Sequence, residues 1–266
     1  MELEALHAKS SVTALARGLE IMRCFSAREP ALTNGQLATY TGLPKSTISR
    51  LTGTLVDMGY LQHDQKNRCY RVGASVLALG YTALSNIRAI DIARPHMQAL
   101  ADSTGTLVSM STRDRLNMLY VEACSSDTNL TLKMGRGVRM PILTTSIGRA
   151  FLAVLPVLER EYFLSELRAK ESPEENFKTT IDIYREFERF NQCGYCLSVG
   201  EWKSEVNAAA TPIVWSDSSE ILILSISGPS FMVTPERLDE DLVDRLLVLA
   251  KHITSTLNAK TSARQF

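Results

Sequence analysis

The segment Leu43–Leu51 combines cationic and hydroxyl side chains at the start of a predicted helix. Its polar residues are Lys45, Ser46, Thr47, Ser49 and Arg50. An arginine can bond bidentately to a guanine edge, and lysine and serine side chains suit phosphate or base contacts. The positive end of a helix dipole favours phosphate at the same place. The pattern predicts a DNA-reading helix, although a solvated polar face on a small helical subdomain would give a similar sequence.

The elements around this segment form the pattern of a winged helix-turn-helix. Apolar spacing and turn residues predict three helices and a two-stranded hairpin: Val12–Ala27, Asn34–Tyr40, Lys45–Met58, Tyr60–His63 and Arg68–Val72. Thr33 and Gln36 have the spacing of a capping box at the second helix. At the hairpin tip, Lys66 and Arg68 could neutralise phosphates.

A second set of residues suits a small-molecule site. Three hydroxyls in Thr144–Ser146 precede the predicted helix Ser146–Leu155, whose free N–H groups suit an anion such as a carboxylate. Ser225 and Ser227 lie two residues apart on a predicted strand, so both hydroxyls can face one ligand. The competing interpretations are a helix cap in Thr144–Ser146 and core methionines at Met134 and Met140.

Helices and strands alternate through the rest of the chain, which predicts an α+β fold with antiparallel hairpins. We expect a DNA-binding domain over residues 1–72, a linker helix over 73–90 and a second domain over 91–266. Three predicted elements matter below: a helix over Ile92–Thr104, a strand over Leu130–Met134 and a long helix over Pro235–Leu257.

Composition and charge narrow the class of protein. The 266 residues carry 29 basic and 29 acidic side chains, which excludes a uniformly basic nucleic-acid coat. Residues 1–72 nevertheless hold 9 Lys and Arg against 6 Asp and Glu, a net charge of +3. No apolar run reaches the roughly 18 residues of a membrane span. Five cysteines fit a reducing cytoplasm, where we expect the protein to act without a membrane partner.

Metal and enzyme sites have little support in the sequence. The CxxC segment Cys193–Cys196 has no second cysteine pair or histidine at ligand spacing. The histidines are scattered as His7, His63, His96 and His252, and none has a nucleophile partner in sequence. We therefore predict no metal, no cofactor and no catalytic residues.

Several segments together resemble the IclR family of bacterial transcriptional regulators. Leu43–Leu51 reads LPKSTISRL, which is similar to the recognition helix of that family. Further similar segments, in the same order along the chain, span about residues 11–257: Ser11–Leu19, Gly59–Leu61, Cys69–Gly73, Met140–Ile142, Gly148–Ala153, Thr211–Ile213 and Ser225–Pro229.

The resemblance implies a double-stranded DNA operator as target, a GAF-like effector-binding domain and a homodimer or tetramer. It also implies regulation by a small molecule, often a carboxylate or aromatic acid from a catabolic pathway. Carried over to this sequence, it places the effector between two groups of residues, with Thr145 and Ser198 beside them: Leu132, Met134, Met140, Ser146 and Ile147 on one side, and Val206, Ala208, Ser225 and Ser227 on the other.

This chain departs from the pattern of the family near the pocket. Leu197–Val199 replaces an acidic run, and Arg149 stands where a lysine is usual. The histidine usual near Leu143 is absent. Trp202 could stack on an aromatic ligand, but we favour a position at the edge of the core.

The sequence as a whole predicts a transcriptional regulator controlled by an organic acid, rather than an enzyme. The alternatives are a small-acid-metabolising enzyme with a fused helical domain, and a DNA-binding module without an effector. The identity of the effector, the target promoter, the direction of regulation and the choice between dimer and tetramer are not encoded in any pattern we recognise.

Overall fold

The computed structural model describes residues 12–27, 29–126, 134–169, 173–215 and 220–262, with side chains described outside 173–181 and 260–262. The chain divides into two compact units, Met1–Asn86 and Ile87–Phe266. The division falls inside the range 73–90 predicted to be one linker helix. That prediction was wrong in detail, since one helix ends at Ser85 and the next begins at Arg88.

The first unit is a winged helix-turn-helix. Its elements are α1 Thr13–Arg23, β1 Ala31–Thr33, α2 Asn34–Thr41, α3 Lys45–Asp57, β2 Leu61–Asp64, β3 Cys69–Val72 and α4 Ala74–Ser85. The three strands form an antiparallel sheet in the order β1-β3-β2. Strand β1 was not predicted, and α1 ends four residues before the predicted Ala27. A small apolar core beneath α3 consists of Ile21, Phe25, Leu32, Leu37, Ile48 and Leu61.

Local signals explain the turn that positions α3. Thr33 and Gln36 form the expected capping box at α2. Gly42 follows with φ of 68°, a left-handed conformation that favours glycine, and ends that helix. Pro44 has extended backbone geometry and precedes α3, where a missing N–H costs no helical hydrogen bond.

The second unit is α+β, with a six-stranded antiparallel sheet ordered β6-β5-β4-β9-β8-β7. Its strands are β4 Leu107–Asp114, β5 Asn117–Ser125, β6 Arg139–Pro141, β7 Cys196–Val199, β8 Val206–Ile213 and β9 Leu222–Pro229. Its helices are α5 Arg88–Thr104, α6 Ser146–Val154, α7 Val157–Arg168, α8 Pro173–Cys193, α9 Pro235–Arg237 and α10 Val243–Ser262. Within the described residues no single helix is long and apolar enough to span a membrane, and only α4 and α5 counted together reach that threshold.

Strand β9 is buried along its whole length, so helices must cover both faces of the sheet. On one face, Ile223 belongs to the same core cluster as Ile147 and Phe151 of α6. Helices α5 and α10 pack against the central strands and against each other. Since side chains alternate along a strand, Ser225 and Ser227 share the face of Ile223 and therefore face α6.

Three further predictions need correction. The predicted helix Ile92–Thr104 begins earlier, at Arg88, with Pro95 inside it. The predicted strand Leu130–Met134 falls outside the described residues except for Met134, which is not in a strand. The predicted C-terminal helix is interrupted by a π-helical turn at Leu238–Leu242.

Candidate functional site

Helix α3 presents a polar face to solvent and buries the opposite side. Lys45, Ser46, Ser49 and Arg50 are exposed and Thr47 is half-buried. Ile48 is fully buried in the core of the first unit. The packing of Ile48 therefore fixes the rotation of the helix and directs the predicted DNA-binding side chains outward.

Asn34 at the start of α2 also contacts this face. Its side-chain amide donates a hydrogen bond to Ser49 Oγ at 2.6 Å. The bond joins α2 to α3 and orients the Ser49 hydroxyl, whose own proton stays available to an acceptor. Sequence analysis missed Asn34 because the two residues are 15 positions apart.

The wing is the β2–β3 hairpin, with Lys66 and Arg68 exposed at its tip. The Asp64 carboxylate accepts hydrogen bonds from the Asn67 backbone N–H at 3.0 Å and the Asn67 side-chain amide at 2.8 Å. The side-chain bond in particular lowers the pKa of Asp64, so the turn is held by an ionised carboxylate. Arg68 follows with φ of 50°.

The second unit contains a small cavity between the N-terminus of α6 and the sheet. All the predicted effector residues within the described part of the chain line it, and Leu132 lies outside that part. The described lining is Tyr120, Met134, Met140, Thr145, Ser146, Ile147, Ser198, Trp202, Val206, Ala208, Ser225 and Ser227. Its volume is about 20 Å³, which is room for one water molecule. Any larger ligand must therefore displace parts of the wall.

The N-terminus of α6 forms one side of the cavity. Thr145 caps the helix, accepting from the Gly148 N–H at 3.3 Å and donating to the Pro141 carbonyl at 2.5 Å. The first N–H groups, at Ser146 and Ile147, have no acceptor within the helix. Thr145 therefore has both of the roles considered from the sequence: it caps the helix and it lines the cavity.

Two hydroxyls that line the cavity, those of Tyr120 and Ser225, share Ser109 behind them as a hydrogen-bonding neighbour. Ser109 Oγ and Ser225 Oγ are 2.7 Å apart and both are buried. Burial raises the pKa of the Tyr120 phenol, although a hydrogen bond with Ser109 opposes the shift. The phenol therefore remains neutral at physiological pH and able to donate a proton. Tyr120 and Ser109 were not predicted, because strand pairing alone brings them to Ser225.

Arg149 and Glu201 form an ion pair next to the cavity, in which the arginine is buried and the carboxylate reaches solvent. The Arg149 side chain is 2% exposed; it pairs with Glu201 and donates to the carbonyls of Leu143 at 3.1 Å and Leu197 at 2.9 Å. Desolvation raises the pKa of Glu201, and Arg149 counteracts this only in part. The described cavity lining contains no charged side chain, so hydroxyls and helix N–H groups provide its polarity.

Trp202 both packs against the core cluster and lines the cavity. The favoured position at the edge of the core is confirmed, and the same side chain also forms part of the cavity wall. The CxxC segment has an exposed Cys193 and a buried Cys196, whose thiol pKa is raised by burial. Within the described residues no three His, Cys, Asp or Glu side chains are placed to hold a metal ion.

A winged helix-turn-helix in one unit and an α+β unit with a small cavity together define a DNA-binding transcriptional regulator. Comparison with known families agrees with that class. Residues 14–65 match the IclR helix-turn-helix domain, and residues 81–255 match the C-terminal domain of the bacterial transcriptional regulator IclR. The chain belongs to the IclR family, whose members are DNA-binding transcription factors rather than enzymes. The family membership sets aside the enzyme alternative.

Individual relatives support the assignment along nearly the whole chain. The HTH-type transcriptional regulator TsaQ1/TsaQ2 of Comamonas testosteroni is 36% identical over 93% of this chain and 89% of its own length. An IclR family regulator from Brucella abortus has a similar solved structure, with a TM-score of 0.82, 40% identity and coverage of 93% and 94% of the two chains. An IclR homologue from Microbacterium hydrocarbonoxydans, solved in complex with 4-hydroxybenzoate, has a TM-score of 0.74 at 22% identity, covering 93% of this chain and all of its own.

Proposed function

We propose that α3 reads a double-stranded DNA operator from the major groove while the wing holds the backbone. The observation that supports this proposal is the exposed polar face of α3, which the buried Ile48 directs outward. In this proposal Arg50 bonds to a guanine edge, and the remaining residues contact phosphates or neighbouring bases. The proposed DNA-binding residues are Lys45, Ser46, Thr47, Ser49, Arg50, Lys66 and Arg68.

The cavity of the second unit is proposed to bind an organic acid with an apolar body. The N–H groups of Ser146 and Ile147 and the hydroxyls of Ser225 and Ser227 would hold the carboxylate, because the described lining carries no cationic side chain. The remaining proposed effector residues supply apolar walls or further hydroxyls: Leu132, Met134, Met140, Thr145, Ser198, Val206 and Ala208. The 4-hydroxybenzoate bound to the structural relative makes aromatic acids the first class to test.

The small volume of the cavity suggests how the ligand acts. About 20 Å³ holds one water molecule, so an acid can bind only to a form in which the wall has moved. Met134 and Met140 are flexible side chains suited to such movement. A ligand that binds one form better shifts the population toward it, and operator affinity changes by the same coupling.

We further propose that the protein acts in the bacterial cytoplasm as a homodimer or tetramer. Several large apolar side chains of the first unit are exposed, among them Leu15 and Leu19 of α1. A second copy of the chain is the proposed cover for this surface, since two symmetric copies suit a palindromic operator.

The experiment that tests the proposal selects genomic DNA fragments with the purified protein at about 150 mM salt. Enrichment of one nearly palindromic site would support the proposal that the protein binds a specific operator. Operator affinity and thermal stability are then measured with a panel of acids that begins with 4-hydroxybenzoate. A bound acid at 100 times its Kd should stabilise the protein by about 2.7 kcal/mol.

A double variant tests whether the cavity is the effector site. Ser225→Ala/Ser227→Ala should abolish the response to the acid and leave operator binding without acid intact. Ser165→Ala changes an exposed serine of α7; it is the matched control and should respond normally. An unchanged response in the double variant would refute the cavity as the effector site.

A further inference from the structure

Two histidines from different helices meet on the surface of the second unit. His96 lies on α5 and His252 on α10, 156 residues apart. Their Nε2 atoms are 3.3 Å apart, and their rings meet edge to face at 75° with centroids 4.5 Å apart. Both side chains are exposed. Neither residue lies on α3 or the wing, and neither lines the effector cavity.

The separation of the two nitrogens matches that of two ligands on one metal ion. Zinc binds imidazole nitrogen at about 2.0–2.1 Å in tetrahedral geometry, which puts two ligand nitrogens about 3.3 Å from each other. Imidazole nitrogen suits zinc, copper and nickel, whereas calcium and magnesium prefer oxygen ligands. The described structure therefore already has the spacing that such an ion requires.

The two helices hold the pair in place without a metal. The residues that follow the histidines, Met97 and Ile253, are both fully buried. Helices α5 and α10 pack directly against each other. Since the backbone at both histidines is anchored, an ion that binds here replaces the contact between the two exposed rings and needs no rearrangement of the helices.

We propose that His96 and His252 form a binding site for a divalent transition-metal cation of the zinc type. The two Nε2 atoms supply two ligands and water completes the coordination, because no cluster of three or more candidate ligands exists among the described side chains. Such a site binds far more weakly than a four-ligand structural site. The bound ion joins the first helix of the second unit to its last.

The test is a calorimetric titration of Zn²⁺ into the full-length protein after treatment with a chelator. We expect one ion per chain with a micromolar Kd, and an increase in Tm with Zn²⁺ but not with Mg²⁺. His96→Gln and His252→Gln should each weaken zinc binding at least tenfold. Circular dichroism and the metal-free Tm establish that the variants are folded.

Two control variants separate this site from other zinc ligands. His63→Gln removes the exposed wing histidine, and Cys193→Ser removes the exposed thiol. Both should bind zinc as the unmodified protein does. The proposal is wrong if the unmodified protein binds no zinc at millimolar concentration, if the His96 and His252 variants bind it unchanged, or if only Cys193→Ser abolishes binding.

Discussion

Glu122 is a buried carboxylate at which three parts of the second unit meet. Its side chain is 1% exposed. It accepts from Arg94 of α5 at 3.0 Å, from Arg136 Nε of the β5–β6 connection at 3.0 Å, and from the Ala123 N–H at 2.9 Å. Arg136 is close in sequence to Met134, a wall of the cavity. A single carboxylate thus anchors both a helix and a cavity wall.

Replacing Glu122 with glutamine should destabilise the protein by about 1–3 kcal/mol at pH 7, because two guanidinium groups lose their charged partner. Burial opposes ionisation of Glu122, but hydrogen bonds from Arg136, Ala123 and Arg94 outweigh it and hold the pKa below its usual value. A lowered pKa stabilises the fold above about pH 4.3 and loses that effect as the pH falls through the folded-state pKa.

Urea unfolding of Glu122→Gln and the unmodified protein between pH 3 and pH 7 measures this dependence. The stability difference should shrink as the pH falls below about 4. Asp241→Asn, which breaks an exposed pair with Arg245, serves as the control and should cost under about 1 kcal/mol. A difference for Glu122→Gln that is constant with pH would contradict the assigned role of its charge.

At the scale of elements, α6 approaches the preceding loop so closely that only glycine fits at one position. A Cβ at Gly148 would lie 2.1 Å from the carbonyl oxygen of Ile142. The backbone contact sets the distance of the α6 N-terminus from the sheet, and with it the position of Ser146 in the cavity. Gly148 is therefore a packing requirement of the proposed effector site.

Gly148→Ala should lower the free energy of unfolding by about 1–3 kcal/mol, because the helix or the loop must shift. The shift should also weaken binding of the acid. Gly53→Ala is the matched control, since Gly53 is exposed on α3 and a Cβ there meets nothing within 4 Å. It should stabilise the protein by about 0.5–1 kcal/mol. Thermal denaturation of the two variants measures the contrast, and equal effects would show that the approach is not tight.

Helix α3 and the wing should contribute differently to DNA binding. Arg50→Ala should cost about 1–3 kcal/mol on the operator and relax the preference for the native sequence. Lys66→Ala should weaken binding to all sequences alike and reduce the salt slope by about 1. Titrations on operator and scrambled DNA at several salt concentrations distinguish the two effects. If Arg50→Ala binds the operator normally, α3 does not read the bases.

Signals confined to neighbouring residues were predictable, and contacts between distant ones were not. The Thr33 capping box depends on four consecutive residues, and the shared face of Ser225 and Ser227 depends on strand periodicity. Strand β1 is only three residues long and exists because it pairs with β3, which no local pattern reports. Helix α5 continues before Pro95 because Ala89, Ile90 and Ala93 pack in the core, and that burial outweighs the proline.

At the scale of the whole molecule, the first unit exposes apolar side chains that a single copy of the chain leaves uncovered. Leu15 and Leu19 are about 60% exposed and line a groove between α1 and α3 with Met58. Helix α4 adds exposed Leu77 and Tyr81. Because these apolar side chains are exposed to water, we expect the DNA-binding unit to associate with the same unit of a second copy. A two-fold pair of such units would present two recognition helices to two half-sites of an operator.

Leu15→Glu/Leu19→Glu should shift the protein toward monomers, because charges would be buried without partners in the proposed contact between copies. Analytical ultracentrifugation measures the assembly state. The matched control is Leu158→Glu on α7, which changes a still more exposed leucine of the second unit. The double variant should also bind a full operator no better than a half-site, since linking two binding modules raises the effective concentration of the second. An unchanged sedimentation coefficient would mean that copies associate through another surface, and the apolar groove of the first unit would need a different explanation.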